Sequence, residues 1–273
     1  MSATPLTGLK VFEFSHTVMG PTAGLVLAEL GADVVKVEPP GGDPLSAFSP
    51  GLYAQLCDGM RIARLDLKSS DGRMAMQTLL READLFLASQ RPSALARLGL
   101  DRDALIAPGS APPRLRWLNI VGEEARPEIP GHDLTYLAKA GLLGRDMPKT
   151  LVADVLGAER AFATALLLLR QPPGASATVG LHDSLSPLIA ILTNGLTGPG
   201  GIVGGAMPAY NIYATRHGRI AVAALEPSFR RGLYDALALE DGADLAAAFQ
   251  EMTAAEWEGW AKERDLPLVA VLE

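Results

Sequence analysis

The sequence predicts an α/β protein in which a parallel sheet with covering helices is followed by a smaller part with a different pattern. Residues 8–38 show a strand, a helix and a second strand within about thirty residues, which is a βαβ unit with a right-handed crossover. Residues 83–88 are apolar on both faces, as a buried parallel strand should be. We therefore expect a large domain at 1–195, a Gly-rich linker at 196–209 and a small domain at 210–273.

Turn-forming residues delimit the predicted elements of the large domain. Gly20 and Pro21 begin the first helix, Gly31 ends it, and Pro39 stops the second strand. Residues 44–60 are rich in turn formers and are predicted to be a loop. The predicted strands are 8–15, 32–38, 61–67, 83–88, 115–121 and the segment ATVGLHDS, and the predicted helices are 20–30, 74–82, one that ends near 99, and two between 130 and 169.

The small domain begins with two predicted strands. Residues 210–213 and 219–224 are expected to pair around the turn at His217 and Gly218. A helix follows from Pro227, because proline is favoured in the first turn of a helix. Two further helical stretches are predicted to carry the chain to Leu268.

Titratable residues stand at the starts of the two helices predicted between 130 and 169. His132 and Asp133 precede the first helix, and Asp154 precedes the second. An aspartate at this position accepts hydrogen bonds from the free N–H groups of the first turn, so capping is the simpler local interpretation of both aspartates. His132 is harder to explain as a cap, because the positive end of a helix disfavours imidazolium and keeps the ring available as a base.

Composition excludes several classes of protein. The 273-residue chain has a formal charge of −7 and no basic tract, so nucleic-acid binding is not indicated. The single cysteine, Cys57, excludes an intrachain disulfide and fits a reducing compartment. No apolar run reaches the ~18 residues of a membrane helix, and no signal peptide precedes the first strand. We therefore expect a soluble cytoplasmic protein that binds no membrane.

Metal and dinucleotide sites are not indicated either. The four histidines and the cysteine lack metal-ligand spacing, so no metal site is expected. His16, His182 and His217 are predicted to be structural or solvated, with His182 in a strand. The turn after the first strand lacks the G-x-G-x-x-G spacing, so a nicotinamide cofactor is not favoured although Glu38 ends the second strand.

A series of motifs resembles the family III CoA transferases, the CaiB/BaiF-type family, along nearly the whole chain. The motifs are TGLKVFEF at 7–14, His16 with Gly20-Pro21, LGADVVKVEP at 30–39, LDLK at 65–68, Arg91-Pro92 and RLGL at 97–100. Three more segments resemble the α-methylacyl-CoA racemase branch in particular: Gly131-His132-Asp133, LVAD at 151–154 and LEPSF at 225–229. Each motif is weak by itself, but their order matches that of the family.

The resemblance implies a doubly wound, Rossmann-like large domain with a smaller second domain, in homodimers whose chains interlock. It implies an acyl-CoA thioester as substrate and no covalently bound cofactor. His132 and Asp154 match the family's acid/base pair, and Glu226 matches a supporting glutamate. The positions that match the family's contacts with CoA are Met19, Leu65, Lys68, Ser89, Arg91 and Arg97.

The favoured function is an acyl-CoA racemase or epimerase that works by 1,1-proton transfer at the α-carbon. Two groups with suitable pKa values on opposite faces of one carbon suffice for this reaction. The first-turn N–H groups of the helices that begin near His132, Asp154 and Glu226 are expected to stabilise the enolate oxygen. Two alternatives stay open: a CoA transferase with an anhydride on Asp154, and a non-catalytic member with weakened CoA binding.

Several departures from the family pattern concern the binding of CoA. Pro39 replaces an arginine, Ser93 replaces a glycine, and residues 122–125 read Gly-Glu-Glu-Ala where a Gly-aromatic-Gly loop is usual. Family chains usually continue past the position of Leu268, so the resemblance implies a chain shortened at its C-terminus. Loss of cationic contacts with phosphates predicts weak binding of CoA.

Overall fold

The computed structural model describes residues 4–106 and 114–272, which belong to two compact units, Met1–Ser186 and Pro187–Glu273. The strands of the first unit are β1 (Lys10–Phe14), β2 (Asp33–Glu38), β3 (Arg61–Arg64), β4 (Leu85–Ala88), β5 (Arg116–Val121) and β6 (Ser176–Gly180). Its helices are α1 (Met19–Glu29), α2 (Leu45–Phe48), α3 (Pro50–Leu56), α4 (Ser70–Arg81), α5 (Pro92–Leu98), α6 (Arg102–Ile106), α7 (Asp133–Lys139), α8 (Val152–Leu169) and α9 (Leu181–Ser184).

The strands described in the first unit form one parallel sheet in the order β3-β2-β1-β4-β5-β6. The chain runs outward from β1 to β3 on one side and from β4 to β6 on the other, so the strand order reverses between β1 and β4. This confirms the predicted α/β class with a parallel sheet. Phe14 pairs with Ala88 at the carboxyl ends of these two strands. The residues after them therefore line the crevice in which open parallel sheets bind ligands.

The core of the first unit lies around the central strands. Every residue of β4 is buried, which explains why this strand is apolar on both faces. Phe12, Phe86 and Met76 belong to one apolar cluster in which strands and helices meet. Burying each of these side chains contributes about 1.5–3 kcal/mol relative to exposure. The sheet is thereby a rigid support for the loops at its carboxyl edge.

Two local predictions in the first unit are wrong. The segment 44–60 was predicted to be a loop, but it contains α2 and α3, the second of which has Pro50 in its first turn. The Tyr53 hydroxyl of α3 donates a hydrogen bond to Glu38 Oε1 at 2.7 Å, a tertiary contact that local pattern does not reveal. The predicted strand ATVGLHDS ends at Gly180, and His182 lies in the short helix α9.

The remaining elements form the second unit. They are β7 (Tyr210–Ala214), β8 (Arg219–Ala223), β9 (Leu268–Ala270), α10 (Ser186–Thr193), a π-helical turn (Ile202–Ala206), α11 (Pro227–Leu237), α12 (Ala246–Phe249) and α13 (Ala254–Lys262). The strands make a small antiparallel sheet in the order β7-β8-β9. The paired strands β7 and β8 were predicted, whereas β9 is too short to show a pattern of its own.

Aromatic rings fill the core of the second unit. Phe249 lies between Tyr213 and Trp257, with ring centroids 5.1 and 5.0 Å away. Such pairs add about 0.5–1.5 kcal/mol beyond the burial of their area. Within residues 4–106 and 114–272, no helix is long and apolar enough to cross a membrane.

Candidate active site

A cavity of about 290 Å³ opens at the carboxyl ends of β1, β4 and β5, within the first unit. This is the crevice that the reversal of strand order predicts. Loops after the three strands and the starts of α7 and α8 form its walls. Its lining residues include His16, Gln90, Gly122, His132, Tyr136 and Asp154.

His132 is placed at the cavity by the start of α7. It is the N-cap residue of that helix, with the extended backbone (φ −142°, ψ 167°) typical of this position. The Thr135 hydroxyl accepts a hydrogen bond from the His132 N–H at 3.0 Å, which fixes the entry of the chain into the helix. The His132 side chain is exposed, so solvent can exchange its protons.

Asp133 is a cap, but it caps the other helix. Its Oδ1 accepts hydrogen bonds from the N–H groups of Ala153 (2.6 Å) and Asp154 (3.1 Å) in the first turn of α8. The carboxylate is buried, and it holds the starts of α7 and α8 together. Both N–H groups are therefore occupied. These two groups are therefore not free to stabilise an enolate oxygen.

Asp154 does not cap α8. The N-cap residue is Leu151, whose own side chain makes no capping hydrogen bond, and the Asp133 carboxylate takes that role instead. Asp154 is 8% exposed, and its Oδ1 has no hydrogen-bond partner among the residues that the structure describes. Burial raises the pKa of Asp154 to about 6, the charge of Asp133 adds to the rise, and His132 opposes it. A buried carboxyl group with an unpartnered oxygen and such a pKa is suited to proton transfer.

Tyr136 is a lining residue that the sequence analysis missed. Burial raises the pKa of its hydroxyl, and the charge of Asp154 raises it further, so the group stays protonated. Two glycines make room for the ring. A Cβ atom at Gly122 would come within 2.3 Å of the Tyr136 hydroxyl, and one at Gly131 within 2.5 Å of a ring carbon. These glycines are the signal that a large side chain approaches the backbone closely here.

The positions predicted to contact CoA divide between two cavities. Met19, Ser89 and Arg91 line the cavity of Asp154. Leu65 and Lys68 line a neighbouring cavity of about 420 Å³. Arg97 is exposed in the last turn of α5 and lines neither of these two cavities.

Glu226 belongs to the second unit. It is the N-cap residue of α11 and is followed by Pro227 in the first turn, as the sequence predicts. Its side chain makes no capping hydrogen bond. Its carboxylate is therefore not needed to complete the helix.

His16 was predicted to be structural or solvated, but it lies between the two cavities and lines both of them. Its position two residues after the end of β1, the strand at which the order reverses, is the signal that predicts a ligand contact. His182, by contrast, lines neither cavity.

The loop after β5 is fixed by acidic side chains where the family pattern has a Gly-aromatic-Gly sequence. Glu123 pairs with Lys139 at 2.6 Å and with Arg126 at 2.7 Å, and these hydrogen bonds lower the pKa of Glu123 to about 2. Glu128 accepts hydrogen bonds from the N–H and the hydroxyl of Ser93 at 2.7 and 2.8 Å. Ser93 is therefore held by Glu128, and the loop at 122–125 is held separately by the ion pairs of Glu123.

Replacing Asp133 with alanine is expected to destabilise the protein by about 0.5–2 kcal/mol, because two first-turn N–H groups of α8 lose their acceptor. The same change is expected to lower the pKa of Asp154, since it removes a neighbouring negative charge. Urea unfolding measures the first effect. Asp133→Asn keeps an acceptor oxygen and is expected to cost less. Equal stability of Asp133→Ala and the parent protein would contradict the cross-helix cap.

Comparison with known proteins identifies the class to which this fold and cavity belong. The model of CoA-transferase family III matches residues 6–273, nearly the whole chain. The chain therefore belongs to CoA-transferase family III.

Individual relatives include both transferases and racemases. A probable fatty acyl-CoA transferase of Mycobacterium tuberculosis is 34% identical over 152 residues, which are 51% of this chain and 38% of that protein. The human α-methylacyl-CoA racemase is 29% identical over 291 residues, or 92% of this chain and 74% of the racemase. The segment matched to the mycobacterial transferase covers less than two fifths of the length of that protein. A cinnamoyl-CoA:phenyllactate CoA-transferase of Clostridium sporogenes is likewise covered over only 36% of its length.

Solved structures confirm the fold. A crystal structure of a hypothetical protein from Mycobacterium tuberculosis superposes with a TM-score of 0.84 at 23% identity, covering 99% of this chain and 86% of that one. A CaiB/BaiF family protein from Brucella suis gives 0.81 at 23% identity, covering 100% and 85%.

Proposed function

We propose that the protein is an acyl-CoA racemase or epimerase in which His132 and Asp154 are the acid/base pair. The observation that carries the proposal is the state of Asp154, which is buried, has an unpartnered oxygen and has a pKa of about 6. His132 lines the same cavity and is near enough for its charge to affect that pKa. A pair of groups of this kind can remove a proton from one face of a carbon and return one to the other.

The proposed reaction begins with removal of the α-proton of the thioester by one of the two groups. The C–H electron pair moves into an enolate, whose negative charge rests on the thioester oxygen. The other group then donates its proton to the opposite face of the α-carbon and restores the thioester. The protonated Tyr136 hydroxyl and the N–H groups of Asp133 and Leu134 at the start of α7 are the proposed donors to the enolate oxygen. Donors of this type stabilise the charge because they are already oriented.

Substrate binding is proposed to involve both cavities. The nucleotide end of CoA would lie by Leu65 and Lys68, and the thioester would lie by Met19, Ser89 and Arg91. Arg97 is retained as a proposed contact with CoA phosphate, and Glu226 as a supporting catalytic carboxylate. We also propose a homodimer, as the family resemblance implies, which light scattering at micromolar concentration tests.

Incubation with a chiral 2-methylacyl-CoA in heavy water tests the proposed function. A racemase is expected to incorporate deuterium at the α-carbon and to interconvert the two enantiomers. Transfer of CoA to a second carboxylic acid without deuterium uptake would show a transferase instead. Absence of CoA binding in calorimetry at millimolar concentration would favour the non-catalytic alternative.

A CoA transferase is the second candidate function, and the burial and unpartnered oxygen of Asp154 support it as well. The Asp154 carboxylate would attack the thioester carbonyl, the C–S bond would break, and CoA would leave as the thiolate from a mixed anhydride. A poorly solvated carboxylate with an unpartnered oxygen also suits a nucleophile. Hydroxylamine trapping followed by mass spectrometry separates the candidates, because only the transferase forms an adduct on Asp154.

The pH dependence of proton exchange is expected to report the pKa of Asp154. In His132→Ala, Asp154 remains as the base for one enantiomer and must be ionised to act. Its exchange rate is therefore expected to rise about tenfold per pH unit up to at least about pH 6 and to level off at higher pH, because removal of His132 also removes the interaction that lowers the pKa of Asp154. Exchange followed by NMR from pH 4.5 to 8 measures this profile. A rate that is already constant at pH 5 would show an ordinary carboxyl group and contradict the effect of burial.

A further inference from the structure

We propose that His16 is a ligand-binding residue that donates a hydrogen bond to a carbonyl oxygen in the neutral arm of an acyl-CoA. The proposal rests on the proposed function in so far as the ligand is a CoA thioester. It adds a binding residue between the two cavities, at a place where the chain of the ligand would pass from Lys68 to Asp154.

The ring of His16 has an unfilled hydrogen-bonding position. Its Nδ1 is buried and has no partner among the residues that the structure describes. Its Nε2 lies 3.5 Å from Nε2 of Gln90. With the Gln90 amide nitrogen as the donor to Nε2, the neutral ring carries its proton on Nδ1, and this is the tautomer that the proposal requires. An N–H donor that is buried without an acceptor is costly, and a carbonyl oxygen of the ligand would satisfy it.

Gln90 also has an unfilled hydrogen-bonding position. Its side-chain oxygen is also buried without a partner in the described residues, and the residue lines the same cavity as Asp154. Nδ1 of His16 and Oε1 of Gln90 are thus two unfilled hydrogen-bonding positions on neighbouring side chains. A peptide-like amide has a carbonyl oxygen and an N–H, and a thioester has the carbonyl oxygen alone.

Buried charges fix the backbone on both sides of His16. The Lys36 ammonium donates a hydrogen bond to the Ser15 carbonyl oxygen at 3.1 Å. Both carboxylate oxygens of Asp43 accept a hydrogen bond from the Thr17 N–H at 3.1 Å. Lys36 and Asp43 are themselves paired at 2.9 Å and are buried. The ion pair therefore connects the residue before His16 with the residue after it.

The conformation of Thr17 shows that this turn is imposed by its surroundings. Thr17 has a φ of +65°, a left-handed conformation that is strained for a β-branched residue. Its hydroxyl donates a hydrogen bond to the His16 carbonyl oxygen at 2.7 Å. Strain of this kind persists only where other contacts overdetermine the backbone, as the Asp43 carboxylate does here. Lys36 and Asp43 are thus positioning residues for His16.

Calorimetric titration of His16→Ala tests the proposal without requiring turnover. The probes are free CoA, a non-hydrolysable thioether analogue of acyl-CoA that keeps the carbonyl, and adenosine 3′,5′-bisphosphate, which lacks the arm. Loss of one hydrogen bond is expected to weaken binding of the analogue about 3- to 10-fold and to leave the bisphosphate unchanged. An equal loss for free CoA assigns the bond to an amide carbonyl, and a loss for the analogue alone assigns it to the carbonyl beside sulfur.

Two further variants separate positioning from folding. His16→Gln keeps an N–H donor and is expected to recover part of the affinity. Asp43→Asn is expected to weaken binding in the parent protein but to have no further effect in His16→Ala, because it acts through His16. Thermal melts establish that each variant is folded.

Unchanged binding of free CoA and of the thioether analogue by folded His16→Ala would overturn the role of His16 and leave the proposed function standing. Equal losses for all three probes would do the same. Additive losses in the double variant would overturn the positioning role of Asp43. If the parent protein binds none of the probes, the proposed function fails and this assignment fails with it.

Discussion

Replacing Asp154 with asparagine is expected to lower the rate of racemisation by about 10²- to 10⁴-fold, which is the usual contribution of a general acid/base group. His132→Ala is expected to have an effect of the same order. Each variant should still exchange the α-proton of one enantiomer, because the other group remains on its own face of the carbon. Exchange of each enantiomer in heavy water, followed by NMR, measures the two directions separately.

The structure adds an expectation about stability. Since the Asp154 carboxylate is buried without a partner for Oδ1, the neutral amide in Asp154→Asn should leave stability unchanged or raise it while activity falls. Asp71→Asn is the matched control, because Asp71 is also in the first turn of a helix but is exposed. Loss of all turnover in Asp154→Asn together with full activity in His132→Ala would identify a nucleophile and exclude the racemase mechanism.

Replacing Lys36 with methionine is expected to reduce the free energy of unfolding by about 3–5 kcal/mol. The Lys36 ammonium is fully buried and pairs with Glu13 at 3.0 Å and with Asp43 at 2.9 Å. Removing it leaves two carboxylates in a site without water to solvate them. Urea unfolding at pH 7 measures the change, and Lys10→Met is the matched control from the neighbouring strand.

The control differs from the test chiefly in exposure, and it has one acidic partner where Lys36 has two. Lys10 pairs with Glu82 at the surface, where solvent screens the charges, so little change is expected. A loss in Lys36→Met no larger than that in Lys10→Met would show that the Lys36 pair is not desolvated. Replacing the acidic partners together with Lys36 by apolar residues of similar volume is expected to recover much of the stability.

The contribution of this pair has a defined pH window. Burial by itself would lower the pKa of Lys36, but Glu13 and Asp43 outweigh it and raise that pKa above 10.5. The stabilisation by the charged Lys36 is therefore lost only as the pH rises through this raised pKa. Burial by itself would raise the pKa of Asp43, but hydrogen bonds from Leu45 and Lys36 lower it below 3.8. The stabilisation is therefore also lost as the pH falls through that lowered value, and it is constant between about pH 4 and pH 10.

The surface proposed to bind CoA differs from the family pattern. Pro39 lines the cavity of Lys68 where the family pattern has an arginine, and the Glu128 carboxylate engages Ser93 near Arg91 and Arg97. An acidic group beside these arginines competes with phosphate for them. We therefore still expect weak binding of CoA. The altered surface is expected to lower the affinity for CoA without changing the chemistry proposed at Asp154.

Much of the fold could be predicted from local sequence because its signals are local. Alternation and apolar runs indicated the strands, and Gly31, Pro39 and Pro227 delimited elements through their own backbone restrictions. The helices α2 and α3 were missed because tertiary contacts support them, such as the bond from Tyr53 to Glu38. The strand β9 was missed because its three residues show no period and it forms only by pairing with β8.

The sequence by itself determined the parallel sheet, the positions of His132 and Glu226 at helix N-termini, and the presence of Asp154 in the first turn of α8. Only the tertiary structure decided what these groups can do. Asp133 caps a helix that begins about twenty residues later, and this leaves Asp154 without a capping role. The burial that raises the pKa of Asp154 arises from segments far apart in the chain, and so does the ion pair that holds the backbone on both sides of His16. Neither burial nor a contact between distant charges has a local period, so no pattern in the sequence could show them.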